Sequence, residues 1–251
     1  MKATIVLGPG ASKRLIAKGV AAQPLVRRAL VSGTVVITLG TTNAAVAEEV
    51  LGRPIDREAF AAGFVDDRWN LAARVSEARE IVLRKGQPVV LPPQEVVELL
   101  QVGDVVIKGG NAIDPWGTVG VLTAAKDGGT VGRYLSPALA RGVDLVIPIS
   151  LAKLVQTLIL DLARELGSGR IDLSMGLPAG MQPLVGEVVT EVEALEILFG
   201  VSALHVASGG IGRGAGSISL LLDGPEAGVQ AAFTLASSLV AEEDPPLEGA
   251  A

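Results

Sequence analysis

Short runs of Val, Ile and Leu alternate with longer Ala- and Leu-rich segments through the first two-thirds of the chain. Runs that are apolar at every position and end at Gly or a polar residue are typical of strands buried on both faces of a parallel sheet. Four such runs are Ala3–Leu7, Thr34–Leu39, Asp104–Ile107 and Val143–Ile147. The segments between them have the length and apolar spacing of helices. The alternation predicts an α/β fold, a Rossmann-like and mostly parallel sheet with helices on both faces.

The composition changes at Gly167-Ser168-Gly169, after which the chain is rich in Gly, Pro and Met. Before this point, a helix is predicted over Leu151–Leu166 with Ser150 as its cap. After it, shorter strand and helix patterns lead to a last helix that begins at Pro225. Three parts are therefore predicted: a Rossmann-like domain (1–166), a small α+β, ferredoxin-like unit that resembles a lid (167–224), and a C-terminal helix with a frayed tail (225–251).

Composition narrows the classes of function. Of the 251 residues, 49% are apolar, which is enough for a compact core. The net charge of −6 argues against nucleic-acid binding, which requires a basic surface. The chain has no cysteine, and this excludes disulfides and cysteine nucleophiles. Its single histidine, His205, lies in an apolar strand and is predicted to be structural, so we expect neither a metal site nor a cofactor.

Two charged clusters are interpreted as solvated surface. Lys13, Arg14 and Lys18 are predicted to lie on one exposed side of a helix, and Glu242-Glu243-Asp244 in the tail. The apolar run at the N-terminus is too short for a signal peptide, and no later segment is long and apolar enough to span a membrane. A cytoplasmic protein without membrane contacts is therefore expected.

The segment from Asp104 to Thr130 carries the strongest functional signal. It begins as a β-branched strand and continues as a long loop, DVVIKGGNAIDPWGTVGVLTAAKDGGT. Cationic, anionic and amide side chains occur together in this loop: Lys108, Asn111, Asp114, Lys126 and Asp127. Since ligands bind at the carboxyl ends of strands in open α/β sheets, the loop is predicted to form the floor of a small-molecule site.

A second segment, Gly40-Thr41-Thr42-Asn43, connects a predicted strand to a predicted helix. Glycine allows close backbone approach, and the free N–H groups of a helix start attract anions. Threonine hydroxyls and the Asn43 amide can add donors. The segment is interpreted as an anion cradle; the alternative is that Thr41 or Thr42 only caps the helix.

The sequences TLGTTNAAVAEEVLG and DVVIKGGNAID, followed by GTVGVLTAAKDGGT, resemble signatures of a known superfamily. It comprises the ribose-5-phosphate isomerases, glucosamine-6-phosphate deaminases, CoA transferases and initiation-factor-2B-like sugar isomerases. By this resemblance, Gly40–Asn43 is similar to the sugar-phosphate loop of the isomerases. Lys108–Asp114 takes the place of their acidic strand-end loop, and Lys126–Gly129 resembles their Lys-Gly-Gly element. The isomerases carry two acids where this chain has Lys108 and Asn111, and no counterpart of the CoA-transferase glutamate is evident.

The resemblance implies an isomerase or a CoA-transferase-like acyl-transfer activity on a small anionic metabolite such as a sugar phosphate, nucleotide or CoA ester. An aldose–ketose isomerase needs a base and a cation that stabilises an enediolate. Asp114 is the candidate base, and Lys108 or Lys126 the candidate electrophile. The remaining candidate ligand-binding residues are Gly40, Thr41, Thr42, Asn43, Gly109, Gly110, Asn111, Asp127, Gly128 and Gly129.

Three alternatives remain open at the level of sequence. Asp114 precedes Pro115, and Asp-Pro often starts a turn, so its role can be structural. The whole chain can be a non-catalytic metabolite-binding or regulatory module on the same fold. It can also be mainly a structural oligomer, with Leu173–Leu184 as the interface. A homo-oligomer is expected in each case.

Overall fold

The computed structural model describes residues 1–73 and 78–244. The strands in chain order are β1 (Lys2–Leu7), β2 (Thr34–Ile37), β3 (Gly63–Phe64), β4 (Ala72–Ala73), β5 (Ile81–Arg84), β6 (Gln87–Val89), β7 (Val105–Ile107), β8 (Ala112–Ile113), β9 (Val119–Thr123), β10 (Asp144–Pro148), β11 (Gly180–Pro183), β12 (Glu187–Val189), β13 (Ser202–Ser208) and β14 (Ile218–Asp223). The helices are α1 (Pro9–Ala22), α2 (Pro24–Ser32), α3 (Thr41–Leu51), α4 (Pro93–Leu99), α5 (Gly129–Arg141), α6 (Ile159–Glu165), α7 (Glu191–Phe199) and α8 (Glu226–Ser238).

The largest sheet has six strands in the order β12-β10-β7-β2-β5-β6. The first four are parallel, whereas β5 pairs antiparallel with β2 and β6 pairs antiparallel with β5. The α/β class is therefore confirmed, but this sheet is mixed, and the smaller sheets that pair β1 with β14, β9 with β11 and β3 with β4 are antiparallel. The β5–β6 pairing is antiparallel because the tight turn Lys85-Gly86 joins the two strands, and both turn residues have positive φ (49° and 74°). A two-residue turn of this kind can join only antiparallel strands.

Helices cover both faces of the six-stranded sheet, as the sequence predicts. Alternate residues of β2 face opposite sides: Val35 and Ile37 belong to the core cluster that includes residues of α1, α2 and α3. Val36 belongs to the second cluster, which includes residues of α4 and α5. This period of two is the geometry expected of a strand, and both faces are apolar because both are covered.

Residues 167–224 do not form a sheet of their own. Strand β11 pairs with β9, and β12 extends the six-stranded sheet beside β10. Strands β13 and β14 form an antiparallel sheet with β1 from the N-terminus. These residues are packed against the N-terminal part of the chain because α1 lies close to α7. A Cβ at Gly19 of α1 would lie 2.6 Å from the Cβ of Ala194 of α7. The strands of the expected lid-like unit therefore belong to three different sheets.

Two local predictions are corrected by backbone hydrogen bonds between distant segments. The predicted helix over Leu151–Leu166 is broken: a 3₁₀ turn at Leu151–Lys153 follows the cap Ser150, and α6 begins only at Ile159. The break occurs because the Val155 N–H donates to the Ile113 carbonyl at 2.8 Å. The predicted loop after β7 likewise contains the hairpin β8–β9.

The C-terminal helix is confirmed as α8, whereas the charged residues after it are not simply solvated. Two residues of the tail predicted as frayed form ion pairs with α1: Glu242 with Arg14, and Asp244 with Lys13. Residues 245–251 of that tail lie outside the described residues.

Candidate functional site

A cleft of about 1000 Å³ lies at the carboxyl ends of β2, β7 and β10. These three strands are neighbours and parallel, so the segments that leave them meet at one edge of the sheet. The residues predicted from sequence that line the cleft are Gly40, Thr41, Thr42, Asn43, Lys108, Gly109, Gly110, Asn111, Gly128 and Gly129. The cradle after β2 and the glycine-rich loop after β7 are therefore brought together.

Helix α3 presents an uncapped N-terminus to the cleft. Its N-cap is Gly40, whose φ of 156° favours glycine, and no side chain accepts a hydrogen bond from the first turn. The expectation that Thr41 or Thr42 caps the helix is wrong, because both residues lie inside the first turn. With no side chain occupying this position, the first-turn N–H groups remain directed at the cleft.

A second helix N-terminus, that of α5, also contributes residues to the cleft lining. Helix α5 begins after Gly128, whose φ is 78°; Gly128 offers no side-chain cap, but the preceding Asp127 accepts an N–H group of the first turn. Gly128, Gly129 and Thr130 line the cleft. Lys126 and Asp127 are exposed and are not among the lining residues, and the Asp127 carboxylate accepts the Gly129 N–H at 2.9 Å.

Asn43 connects the cradle to the sheet beneath it. Its side chain is fully buried, and Nδ2 donates to the carbonyls of Thr38 (2.8 Å) and Ile107 (3.3 Å), just after β2 and at the end of β7. These bonds fix the orientation of the amide. Its Oδ1 has no hydrogen-bond partner among the described residues and lies 3.4 Å from the position of a Cβ at Gly109. A side chain at Gly109 would therefore crowd this buried oxygen.

Three lysines give the cleft its positive charge: Lys13 of α1, Lys108 after β7 and Lys153 after β10. The Lys108 Nζ donates to the Gly109 carbonyl (3.0 Å), and the Lys153 Nζ donates to the Gly110 carbonyl (2.8 Å). Neither of these two amines has an ion-pair partner within the part of the chain that the structure describes.

Burial perturbs both amines. It lowers the pKa of Lys108 to about 8, against a smaller opposing effect of the Glu80 carboxylate. Burial also lowers the pKa of Lys153 to about 8, and the positive charges of Lys13 and Lys108 add to the effect. At neutral pH both groups are mostly protonated, yet each can release a proton at little cost.

Asp114, the candidate base, lies outside the cleft lining and is buried. Its Oδ1 accepts the N–H groups of Trp116 and Thr118, both at 2.9 Å, and its Oδ2 accepts that of Ile159 at 3.0 Å. Burial alone would raise the pKa of Asp114, but these hydrogen bonds outweigh it and hold the pKa below its usual value. The carboxylate thus anchors the turn of the β8–β9 hairpin to the start of α6.

Asn111 lines the cleft, but its side chain is also committed to the hairpin. Its Oδ1 accepts the Leu122 N–H at 3.0 Å, and its backbone N–H donates to the Gly120 carbonyl at 2.8 Å. Asn111 therefore shapes the floor of the cleft, and its amide Nδ2 is the part of the side chain not used in these bonds.

Sequence reasoning missed Lys13, Lys153, Arg57 and Asp244, all of which line the cleft. Lys13 was expected on a solvated helix side, and Lys153 inside a long amphipathic helix. Lys108 directly follows β7, and Lys153 lies five residues after the end of β10; a lysine in the segment that leaves a predicted buried strand is the signal that could have identified Lys153. His205 is partly buried, and its Nε2 lies 3.1 Å from the Ala207 carbonyl, in agreement with a structural role.

Comparison of the chain with known protein families, curated proteins and solved structures finds no match. The resemblance to the sugar-phosphate isomerase superfamily accordingly stays a prediction. Among residues 1–73 and 78–244, no helix is both long and apolar enough to cross a membrane. Within the same residues, no group of three or more His, Cys, Asp or Glu side chains is placed to hold a metal ion.

Proposed function

We propose that this protein binds a small anionic metabolite, such as a sugar phosphate, nucleotide or CoA ester, in the cleft at the carboxyl ends of β2, β7 and β10. The observation that carries the proposal is the convergence on one cleft of the uncapped N-terminus of α3, the start of α5 and three lysines. Helix N-termini and ammonium groups both attract anions, and partial burial strengthens the attraction. The parallel strands β12-β10-β7-β2 with helices on both faces support a Rossmann-like arrangement for this part of the fold.

Negative groups in the lining do not oppose this proposal. Two acidic side chains, Asp66 and Asp244, line the cleft. Asp66 accepts the backbone N–H groups of Arg68 (2.8 Å) and Trp69 (2.6 Å), and Asp244 is paired with Lys13. Lys108 and Lys153 are left to face the ligand, so the floor of the cleft has a net positive charge.

Thermal-shift measurements with matched pairs of compounds test this proposal. Ribose 5-phosphate should raise the melting temperature and ribose should not; coenzyme A and adenosine make a second pair. At 100 times the Kd, a ligand stabilises the folded state by about 2.7 kcal/mol, which gives a shift of several degrees. If no charged member of a pair stabilises the protein at millimolar concentration, the proposal fails.

The same cleft supports an isomerase-type reaction as a second proposal. Amines with a pKa of about 8 are suited to proton transfer beside a carbonyl, and Lys108 and Lys153 are such amines. The Asp114 carboxylate accepts three backbone N–H groups and lies outside the cleft lining. We therefore assign the proton-transfer step to Lys108 and Lys153. The competing assignment is a non-catalytic metabolite-binding or regulatory module, favoured because both acids among the described lining residues already accept hydrogen bonds from other residues of the chain.

Solvent exchange separates these two assignments. In D₂O, an isomerase-type enzyme should replace the C2 proton of ribose 5-phosphate with deuterium, and the signal loss can be followed by ¹H NMR. Exchange should disappear in Lys108→Met or Lys153→Met and persist in Lys126→Met, whose side chain is exposed outside the cleft. Binding without exchange would favour the non-catalytic module for this substrate. Cytoplasmic location and a homo-oligomer stay predictions.

A further inference from the structure

The residues after α8 return to the rim of the cleft. We call Glu242–Asp244 the strap. The carboxylate of Glu242 accepts hydrogen bonds from Arg14 (Nε at 3.1 Å, Nη2 at 2.9 Å) and from Arg57 (Nη2 at 2.9 Å). Both arginines also contact Glu48, so the strap is joined to α1, α3 and the segment after α3 at one point.

The backbone of the strap fits closely against the start of α1. A Cβ placed on Gly10 would lie 2.4 Å from the Glu242 carbonyl oxygen and 2.9 Å from the Glu243 carbonyl carbon. No side chain fits at position 10 while the strap stays where it is. The ion pairs alone would allow several positions of the strap, but the close contact with Gly10 defines a single position.

The end of the strap overlaps the proposed anion site. Asp244 Oδ2 lies 2.6 Å from the Lys13 Nζ, and both residues line the cleft together with Arg57. One of the three lysines is therefore neutralised by a carboxylate from the chain itself. The Lys13 and Asp244 side chains keep 17% and 28% of their surface exposed, so the pair is open to exchange with solvent and solutes.

We propose that the strap is an autoinhibitory element: the Asp244 carboxylate occupies the Lys13 part of the anion site, and an incoming anionic ligand displaces it. This inference rests on the proposed function. An incoming phosphate competes for Lys13 with an intramolecular carboxylate at high effective concentration, so the strap lowers the apparent affinity of the site for the anion.

The chain provides a matched control inside the strap. Glu243 is also paired with a cation, Arg213 at 2.6 Å, but both side chains are mostly exposed (69% and 86%) and neither lines the cleft. Glu243→Gln removes the same charge from the same segment as Asp244→Asn removes, without touching the site.

The test is calorimetric titration of inorganic phosphate into the full chain and its variants at low ionic strength. Asp244→Asn should bind phosphate roughly fivefold more tightly than wild type, since an ion pair of this kind contributes up to about 1 kcal/mol. Glu243→Gln should bind as wild type does. The difference should shrink in 0.5 M NaCl, because salt screens the pair.

Two results would overturn the inference. If Asp244→Asn binds phosphate as wild type does, the strap does not compete; if it binds more weakly, the strap completes the site and does not close it. A Lys108→Met/Lys153→Met double variant separates this failure from a failure of the proposed function. Phosphate binding that is lost in the double variant but unchanged in Asp244→Asn would reject the strap alone. Absence of binding in wild type and Asp244→Asn alike would reject both.

Discussion

Replacing Asp114 by Asn should destabilise the fold although it removes no atom from the core. The carboxylate accepts three backbone N–H groups through its two oxygens. An amide keeps one acceptor oxygen, which can serve Trp116 and Thr118, but it presents an NH₂ group to the N–H of Ile159. Ile159 is fully buried, so that donor cannot turn to water.

The magnitude follows from these bonds. A buried donor without a partner costs about 1–3 kcal/mol, and loss of the negative charge weakens the other two bonds by about 0.5 kcal/mol each. We therefore expect the free energy of unfolding to fall by about 2–4 kcal/mol. Urea-induced unfolding, followed by circular dichroism, measures this change through the shift of the midpoint.

Asp127→Asn is the control for this substitution. Asp127 also accepts a backbone N–H, but it is exposed, so its replacement should cost no more than about 0.5 kcal/mol. An unfolding free energy for Asp114→Asn within about 0.5 kcal/mol of the wild-type value would refute the structural assignment of this carboxylate.

The pH dependence of stability gives an independent measurement of the same carboxylate. The pKa of Asp114 is lower in the folded chain than its usual value, so protons bind more readily to the unfolded state. The stabilisation should be complete above the unfolded pKa of about 4 and should be lost as the pH falls through the folded value. Asp114→Asn should lack this part of the acid transition, and an unchanged acid transition would argue against it.

Three further predictions concern the cleft lysines and the packing of α1. Binding of ribose 5-phosphate should weaken at least about tenfold between pH 7 and pH 9.5, as Lys108 and Lys153 lose protons around pH 8; a flat calorimetric profile would contradict this. Lys153→Met should raise the free energy of unfolding, measured in urea, by about 1 kcal/mol at pH 7, since it removes a charge disfavoured by burial, whereas Lys126→Met should not. Gly19→Ala should lower the unfolding free energy by about 1–3 kcal/mol, because its Cβ would meet Ala194; a wild-type urea midpoint would show that α1 and α7 can separate without cost.

The parts of the site that follow directly from a strand could be predicted from sequence. Gly40–Asn43 follows β2 and Lys108–Asn111 follows β7, and in the structure both segments line one cleft. The prediction was possible because β-branched runs identify buried strands, and because parallel strands place their carboxyl ends together.

The remaining parts of the site depend on contacts between distant segments. Lys13 and Asp244 are separated by 231 positions, and no local pattern indicates that they pair. Lys153 was assigned to a helix because its neighbours have helical spacing, but the bond from Val155 to Ile113 ends the turn early and leaves the lysine at the cleft. Around Lys153, a hydrogen bond between distant segments outweighed the local helix propensity.

The central claim is that an anion binds at the lysines where β7 and β10 end. The most direct measurement is calorimetric titration of ribose 5-phosphate into wild type, Lys153→Met and Lys126→Met at pH 7 and low ionic strength. We predict equal affinities for wild type and Lys126→Met, and roughly tenfold weaker binding by Lys153→Met, since one charge-assisted contact is worth about 1.4 kcal/mol. Equal affinity in all three proteins, or a loss confined to Lys126→Met, would contradict the account.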